Sequence, residues 1–255
     1  MRSIFRRSTT VVLGITLLLV VLISSCTVRE ELSIDGSGAG TVSLTINLNP
    51  ILLDYYSDLL SAFTGVSGDY PVFDLDQLVA EFAERPALQL IEIERSALGQ
   101  LRMEIAFDDL NEVFATAGDP VLGTSAATEV FSFRQDGSRR ELTVQLSRAA
   151  VNSFLSFAPP ESEMMTQFLF PPDDGSVSQQ EYQAELAWAL EEYAPADEVR
   201  QVLENSAIEV VVQPIGRIES QSGGVVRDGA VVFRIPILEL LTLSEERIYR
   251  VVFVP

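Results

Sequence analysis

The sequence contains neither histidine nor lysine, and Cys26 is its single cysteine. All 17 basic residues are therefore arginines, which stay protonated at every physiological pH. A catalytic triad built on histidine is excluded, and zinc sites are disfavoured because they normally depend on several Cys and His ligands. No basic group in this chain can shuttle a proton near neutral pH.

A single cysteine also excludes an internal disulfide, so the hydrophobic core must hold the fold without a covalent crosslink. The chain of 255 residues is long enough to bury such a core, and 47% of its residues are hydrophobic. Acidic residues number 37 and give a formal net charge of −20. We expect no nucleic-acid partner, because this charge repels phosphate backbones, and it repels anionic lipid surfaces as well.

The first part of the chain combines basic residues, an apolar run and small residues in a fixed order. Three arginines precede an uncharged run over residues 11–23, and two serines then precede Cys26. This order predicts a secretion signal over residues 1–25. A helix over the apolar run would be about 20 Å long, which is shorter than the roughly 30 Å hydrocarbon core of a bilayer. The alternative is a short anchor helix that stays attached.

The segment Ile23-Ser24-Ser25-Cys26 resembles the lipobox of bacterial lipoproteins, in which an aliphatic residue and two small residues precede a cysteine. The resemblance implies that the Cys26 thiol receives a diacylglyceryl group, that the signal is cut before Cys26, and that the new N-terminus is acylated. We predict no cofactor beyond this covalent lipid. Removal of the signal takes away three arginines and no acidic residue, so the net charge becomes more negative.

The lipidated protein is expected to face away from the cytoplasm, held on a membrane by its acyl chains. Because Thr27 follows the cysteine, the aspartate associated with inner-membrane retention is absent. The resemblance therefore implies the outer membrane if the source has two membranes, and the outer surface if it has one.

Four times the sequence follows the order strand, turn, strand, helix. In residues 41–48, apolar and polar residues alternate, a period of two that is typical of a strand with one buried face. The predicted strand pairs are 28–34 with 41–48, 88–94 with 100–107, 128–134 with 139–146, and 224–226 with 230–235. The helices that follow are predicted over 50–63, from 108 or 109 to 115, over 147–157, and from 236 to about 243. The order indicates either a duplicated unit or the usual winding of such a sheet.

Two further strands, 207–213 and 247–254, are uninterrupted apolar runs, which indicates central or well-covered positions in a sheet. A helix is also predicted over residues 74–84 from the spacing of its apolar residues. Together these elements predict an α+β fold for a single domain over residues 26–255. The domain would contain an antiparallel or mixed sheet with helices mainly on one face.

The first hairpin carries a second resemblance. Residues 27–48 combine the turn Asp35-Gly36-Ser37-Gly38 with a second strand in which Thr and Ser alternate with apolar residues. They resemble the opening of LppM-type lipoprotein domains. This resemblance implies a fold and brings no catalytic residues with it.

Residues 158–206 are predicted to form a helical insertion, with helices over 178–193 and 195–204. Its apolar and aromatic residues, bordered by proline-rich loops, are the candidate site for a ligand or partner: Met164, Met165, Phe168, Phe170, Trp188 and Tyr193. As core residues they would seal one end of the sheet. As a site they would line a groove, because methionine-rich surfaces adapt to varied partners.

Carboxylates and hydroxyls are the remaining candidates for chemistry. Two carboxylates suffice for glycoside hydrolysis, but a solvated acidic face is the simpler interpretation, and we predict no catalytic residue. The oxygen-rich segments 35–38 and 173–175 lack the ligand spacing of a calcium loop. We therefore interpret both segments as turns and predict no metal site.

The sequence thus predicts a membrane-anchored envelope lipoprotein that binds an apolar or amphipathic ligand without catalysis. Two alternatives stay open. One is a structural component of an envelope protein complex, and the other is a carboxylate-dependent hydrolase of an envelope polymer.

Overall fold

A computed structural model describes residues 27–64, 73–115, 131–148, 171 and 177–255 of the chain. The strands in these residues are β1 (Thr27–Ile34), β2 (Gly40–Asn47), β3 (Gln89–Ala97), β4 (Gln100–Phe107), β5 (Phe131–Asp136), β6 (Arg139–Leu146), β7 (Ala207–Pro214), β8 (Arg217–Ser222), β9 (Val225–Arg227), β10 (Ala230–Pro236) and β11 (Arg247–Val254). The helices are α1 (Pro50–Thr64), α2 (Leu75–Ala83), α3 (Leu110–Ala115), α4 (Gln179–Ala189), α5 (Ala196–Asn205) and α6 (Ile237–Leu241).

The strands form two sheets. The first sheet has seven strands in the order β3-β4-β2-β1-β7-β10-β9, and the second has four in the order β5-β6-β11-β8. Strand β1 pairs in parallel with β7, whereas the other pairings among the described strands are antiparallel. The predicted α+β class with a mixed sheet is confirmed. The strands divide between two sheets because the β5–β6 hairpin pairs with the C-terminal strand β11 and not with the preceding hairpins.

Side chains of the first sheet alternate between a buried inner face and an exposed outer face, as the period of two predicts. On β1, Leu32 and Ile34 are buried, whereas Arg29 and Glu31 are exposed. One core is shared by the inner face of the first sheet, helices α1, α4 and α5, and the second sheet. This arrangement confirms that the helices lie mainly on one face. Residues that each element contributes to this core include Leu52, Leu186, Val199, Leu142 and Phe253.

A second apolar cluster covers the β4 side of the first sheet, where α2 packs. Its buried members are Val28, Ile46, Phe73, Leu78, Leu101 and Met103. The guanidinium of Arg95 on β3 donates to the Phe73 carbonyl at 2.8 Å and fixes the chain just before α2. The predicted helix over 74–84 is therefore confirmed as α2.

Helix starts follow the local capping signals in the sequence. The Asn49 side chain accepts a hydrogen bond from the Ile51 N–H at 2.9 Å at the start of α1. At the start of α4, Ser178 and Glu181 form a capping box. The predicted starts of these helices are confirmed, because a cap depends only on residues close together in the chain.

Strands β7 and β11 are central in their sheets, as their apolar runs predict, since β7 lies between β1 and β10 and β11 lies between β6 and β8. Strand β8 is not predicted by the sequence pattern. It is an edge strand with polar residues at most positions, and Ile218 is its contact with the core. Most of the helix predicted over 147–157 lies outside the described residues.

Candidate functional site

Most of the site residues predicted from the sequence lie outside the described residues. These are the lipidation residue Cys26 and four members of the apolar set, Met164, Met165, Phe168 and Phe170. Their predicted roles stay predictions. Trp188 and Tyr193 lie in the described part of the chain.

Tyr193 connects the segment after α4 to helix α1. Its hydroxyl donates to the Asp58 carboxylate at 2.9 Å, and its ring meets Tyr55 edge to face with the centroids 5.7 Å apart. Burial, followed by the hydrogen bond to Asp58, raises the pKa of the Tyr193 hydroxyl. These contacts give Tyr193 a structural role, because they hold two helical segments together.

Trp188 lies on the outer face of α4, and 72% of the residue is exposed. The interpretation of Trp188 as a core residue is wrong, because Tyr182 and Leu186 form the buried face of this helix. Glu185 lies three residues earlier on the same exposed side of the helix. Trp188 lines neither of the grooves described below, so its predicted role in binding stays a prediction.

A groove of about 700 Å³ covers the outer face of the second sheet. Its walls come from all four strands of that sheet and from the β5–β6 hairpin. The lining residues are Arg134, Asp136, Arg139, Glu141, Arg217, Glu219, Ser220 and Val252.

The alternation of side chains along the strands explains why these residues share one face. On β5 and β6, Phe133 and Leu142 point into the core and are buried, so Arg134 and Glu141 point outward. Arg134 is opposite Glu141 in the strand register, and Glu141 is opposite Val252 on β11. The groove is therefore the polar side of a sheet whose other side is core.

Ion pairs connect the strands across the groove. Glu219 contacts Arg139 at 2.8 Å and Arg217 at 3.6 Å, and Glu141 contacts Arg250 at 3.5 Å. The Glu219 carboxylate thus forms ion pairs with two arginines. In the part of the chain that the structure describes, the Arg134 side chain has no hydrogen bond or ion pair. The groove keeps guanidinium donors that its own carboxylates do not fully use.

Positive charge is concentrated here in a chain whose net charge is −20. Four arginines stand on this outer face or at its border, namely Arg134, Arg139, Arg217 and Arg250, against three carboxylates. This set is not apparent in the sequence, because Arg134 and Arg250 are 116 residues apart in the chain. The signal in the sequence is their outward position in strands β5, β6, β8 and β11, but the pairing of β11 with β6 and β8 was needed to bring them together.

A second groove, of about 470 Å³, lies between the start of α4 and the segment after α6. Its lining includes Ser178, Glu239 and Arg247. The Glu239 carboxylate pairs with the Arg247 guanidinium at 2.8 Å, and the Ser178 hydroxyl pairs with the carboxylate of Glu181. This groove therefore offers fewer unused donors than the groove on the second sheet.

The Asp35 turn, which the sequence analysis weighed as a calcium loop, has a structural use. One Asp35 carboxylate oxygen accepts hydrogen bonds from the Ser37 N–H at 2.7 Å, the Ser37 hydroxyl at 2.6 Å, the Gly38 N–H at 3.1 Å and the Ala39 N–H at 3.2 Å. The bond from the Ser37 hydroxyl is the largest cause that lowers the pKa of Asp35. This pattern supports the interpretation as a turn.

The described residues contain neither a side-chain cluster suited to a metal ion nor a helix suited to span a membrane. Among these residues, no group of three or more Cys, Asp or Glu side chains is arranged to hold a metal ion. In the same residues, no helix has both the length and the apolar character needed to cross a bilayer.

The chain is similar to one solved structure, the NMR structure of the folded domain of LppM from Mycobacterium tuberculosis. The TM-score is 0.41 and the sequence identity is 12%, over 91% of this chain and 90% of that chain. No family model matches the chain, and no curated protein matches its sequence. The function must therefore be argued from the residues of this chain.

Proposed function

We propose that this chain is a lipoprotein of the cell envelope, anchored by lipid on Cys26, which binds a ligand without chemistry of its own. We propose the groove on the second sheet as the binding site. The observation that carries this proposal is the concentration of arginines in that groove, in a chain that is otherwise strongly acidic.

The anchor is supported by the order of basic residues, apolar run, small residues and cysteine at the start of the chain. One acyl chain binds a membrane only marginally, whereas two or more hold it firmly. The lipid therefore suffices as an anchor without help from the folded part. The protein would face away from the cytoplasm, on the outer membrane if the source has two membranes.

The arginines favour a ligand that carries an oxyanion, either a carboxylate or a phosphate. A guanidinium presents paired N–H donors that match the oxygens of such groups, and these charge-assisted bonds are stronger than neutral ones. Val252 lines the same groove, and Ile248, two residues from Arg250 on the outward side of β11, is 48% exposed. An amphipathic ligand would thus find donors for its head group and apolar surface for its remainder.

Binding is favoured over catalysis because two of the three groove carboxylates are already engaged, which leaves Asp136 without a second free carboxylate beside it. Glu141 and Glu219 both form ion pairs with arginines. A carboxylate pair does occur elsewhere, since Glu92 and Glu104 are opposite each other on β3 and β4. This pair lies outside both described grooves, where a glycan would not be enclosed.

The test is a titration of the purified lipidated protein, in neutral detergent, with dodecyl phosphate and with uncharged dodecyl maltoside. We expect dodecyl phosphate to bind more tightly, and Arg134→Gln to weaken its binding by about tenfold, since a hydrogen bond to a charged group contributes about 1.5–3 kcal/mol. Added salt should weaken this binding as well, because it screens the charges.

Arg102→Gln is the matched control, because Arg102 is also an exposed arginine on a strand but belongs to β4 of the first sheet. Its affinity for dodecyl phosphate should stay unchanged. Equal losses for Arg134→Gln and Arg102→Gln would show that only the overall charge matters and would refute the site. A loss with Trp188→Ala alone would move the site to the outer face of α4.

A further inference from the structure

The end of the first sheet at which β1 begins is free of charge. We call it the tether end and define it by segments 47–51, 96–101, 205–208 and 235–238, which contain no Asp, Glu or Arg. Charged residues make up 21% of the whole chain. At the opposite end of the same sheet, the turns contain Asp35, Asp108, Asp109, Arg227 and Asp228.

Backbone hydrogen bonds join the segments of the tether end in pairs. The Leu48 N–H donates to the Gly99 carbonyl at 2.8 Å, and the Ile237 N–H donates to the Ser206 carbonyl at 3.0 Å. At the tip of the β3–β4 turn, Leu98 is 46% exposed. The tether end is therefore an ordered, uncharged surface with a leucine at one tip.

Three of the charged side chains nearest this end are held by contacts of their own, whereas Arg102 on β4 is exposed and has no ion pair among the described residues. The Arg234 guanidinium donates to the Asn205 carbonyl at 3.1 Å, and Glu204 accepts a hydrogen bond from the Gln183 amide at 2.9 Å. Arg95 donates to a backbone carbonyl before α2. No unpaired carboxylate therefore stands among the four segments themselves.

Covalent geometry brings the lipid to this same end. Thr27, the first residue of β1, is opposite Asn47 on β2 and Ala207 on β7. Cys26 directly precedes Thr27 in the sequence, and consecutive Cα atoms are about 3.8 Å apart, so a lipid on Cys26 would be attached beside this end of the sheet. No linker separates the acyl chains from the fold, and this step rests on the lipid anchor proposed above.

We propose that the tether end lies directly against the bilayer and that Leu98 inserts between the lipid head groups. A charged group close to hydrocarbon loses hydration, whereas an exposed leucine gains by leaving water. Anionic lipids repel a strongly acidic protein. Such a protein can approach a neutral lipid surface closely only through an uncharged face. The partner is therefore the neutral or zwitterionic surface of the membrane that holds the anchor.

The test uses the lipidated full-length chain with Leu98→Cys, carrying a fluorescent label on the new thiol. The Cys26 sulfur carries the diacylglyceryl group in the lipidated protein, so the introduced cysteine is the single reactive thiol. The protein is reconstituted in phosphatidylcholine vesicles with and without a nitroxide on the lipid acyl chain. We expect the nitroxide to quench the label at position 98.

Ile215→Cys is the matched control, because Ile215 is also an exposed aliphatic residue in a turn, 61% exposed. It lies at the opposite end of the sheet, where its N–H donates to the Ile34 carbonyl at 2.7 Å. Quenching at position 98 should be several times greater than at position 215. Equal quenching at both positions, or none at position 98, would overturn the proposal.

Flotation of the same vesicles separates this inference from the proposed function. Labelled protein that floats without quenching at position 98 leaves the anchor intact and overturns the orientation alone. Protein that does not float overturns the anchor and the orientation together, while the oxyanion titration tests the groove independently. If Leu98→Cys fails to fold, Gln100→Cys in the same turn takes its place, with the same result expected.

Discussion

The two sheets share one core, but they are held together differently. The first is built around β1, which pairs with β2 from the same hairpin and with β7, where Arg29 meets Glu209 at a separation of 180 residues. The second is built around the C-terminal strand β11. The buried residues on β6 and β11 are apolar, whereas the inner face of the first sheet includes the carboxylate of Glu30. The second sheet thus depends on apolar packing, while the first tolerates an electrostatic cost.

The largest expected effect comes from the central strand of the second sheet. Phe253 is fully buried and packs near Phe133, with the ring centroids 6.3 Å apart. Phe253→Ala should lower the free energy of unfolding by about 3–5 kcal/mol, because it removes a large apolar side chain and leaves a cavity. Urea denaturation followed by circular dichroism measures this loss.

Val226→Ala is the control on the edge of the first sheet, since Val226 on β9 is 52% exposed. Its free energy of unfolding should change by less than about 0.5 kcal/mol. If Phe253→Ala proved no more harmful than Val226→Ala, the second sheet would not depend on its central strand.

Substitution of Glu30 should change the free energy of unfolding by a smaller amount and in the opposite direction. It is on the inner face of β1, opposite Leu44 and Val210 on the flanking strands, and burial raises the pKa of its carboxyl. Among the described residues it has no hydrogen bond or ion pair through its side chain. Glu30→Gln should stabilise the protein at pH 7 by about 1 kcal/mol, because it removes a charge from an apolar face.

The pH dependence of this gain follows from the direction of the pKa shift. The raised pKa means that the folded state binds a proton more readily than the unfolded state, so the cost of Glu30 grows as pH rises above its ordinary pKa of 4.5. The melting temperatures of the original protein and of Glu30→Gln should therefore differ at pH 7 and coincide near pH 4.

Glu31→Gln, on the exposed face of the same strand, should show little change in stability, since its ion pair with Arg29 is exposed. Similar gains for both variants would contradict the buried position of Glu30.

A destabilisation no larger than the gain at Glu30 is expected at the Asp35 turn, which joins β1 to β2. Asp35→Ala removes the acceptor of the turn and should destabilise the protein by about 1 kcal/mol, as loss of a comparable side-chain cap does. Because the pKa of Asp35 is lowered, the pH dependence of its contribution to stability has the opposite sign to that of Glu30. Its contribution is present above the ordinary pKa of 3.8 and is lost as pH falls through the lower pKa of the folded state.

Thermal unfolding between pH 7 and pH 2 tests this sign. The melting temperatures of the original protein and of Asp35→Ala should differ at neutral pH and converge in acid. Asp136→Ala, in the turn of the β5–β6 hairpin, provides the comparison within the second sheet. A difference between Asp35→Ala and the original protein that grows in acid would rule out the hydrogen-bonded carboxylate as its cause.

Much of the fold could be predicted because its signals are local. Caps such as Asn49 and Ser178 and turns such as the one at Asp35 act within a few residues. The inward position of Glu30 could also be predicted, because Glu30 is two residues from Val28 and from Leu32 on the same strand. The division into two sheets was not readable, because it depends on which distant strands pair.

The candidate site was less predictable than the fold. The apolar set drew attention because Trp188 and its neighbours in sequence are unusual in composition, but Trp188 is exposed and Tyr193 packs against α1. The groove depends on β11 lying between β6 and β8, and the sequence of β8 carries no clear strand period. In the sequence the groove arginines cannot be distinguished from other exposed arginines. Only the pairing of the strands places them together.

If the chain is exported as proposed, the parallel pairing of β1 with β7 also sets an order of events during export. A chain that crosses a membrane N-terminus first delivers β1 and β2 early, but residues 207–214, which form β7, arrive only after most of the chain has passed. Strand β1 would thus wait for one of its two neighbours, and such long-range pairing is slow. In the proposed lipoprotein the sheet would close around an N-terminus already fixed to the membrane, so that folding and anchoring would take place at the same site.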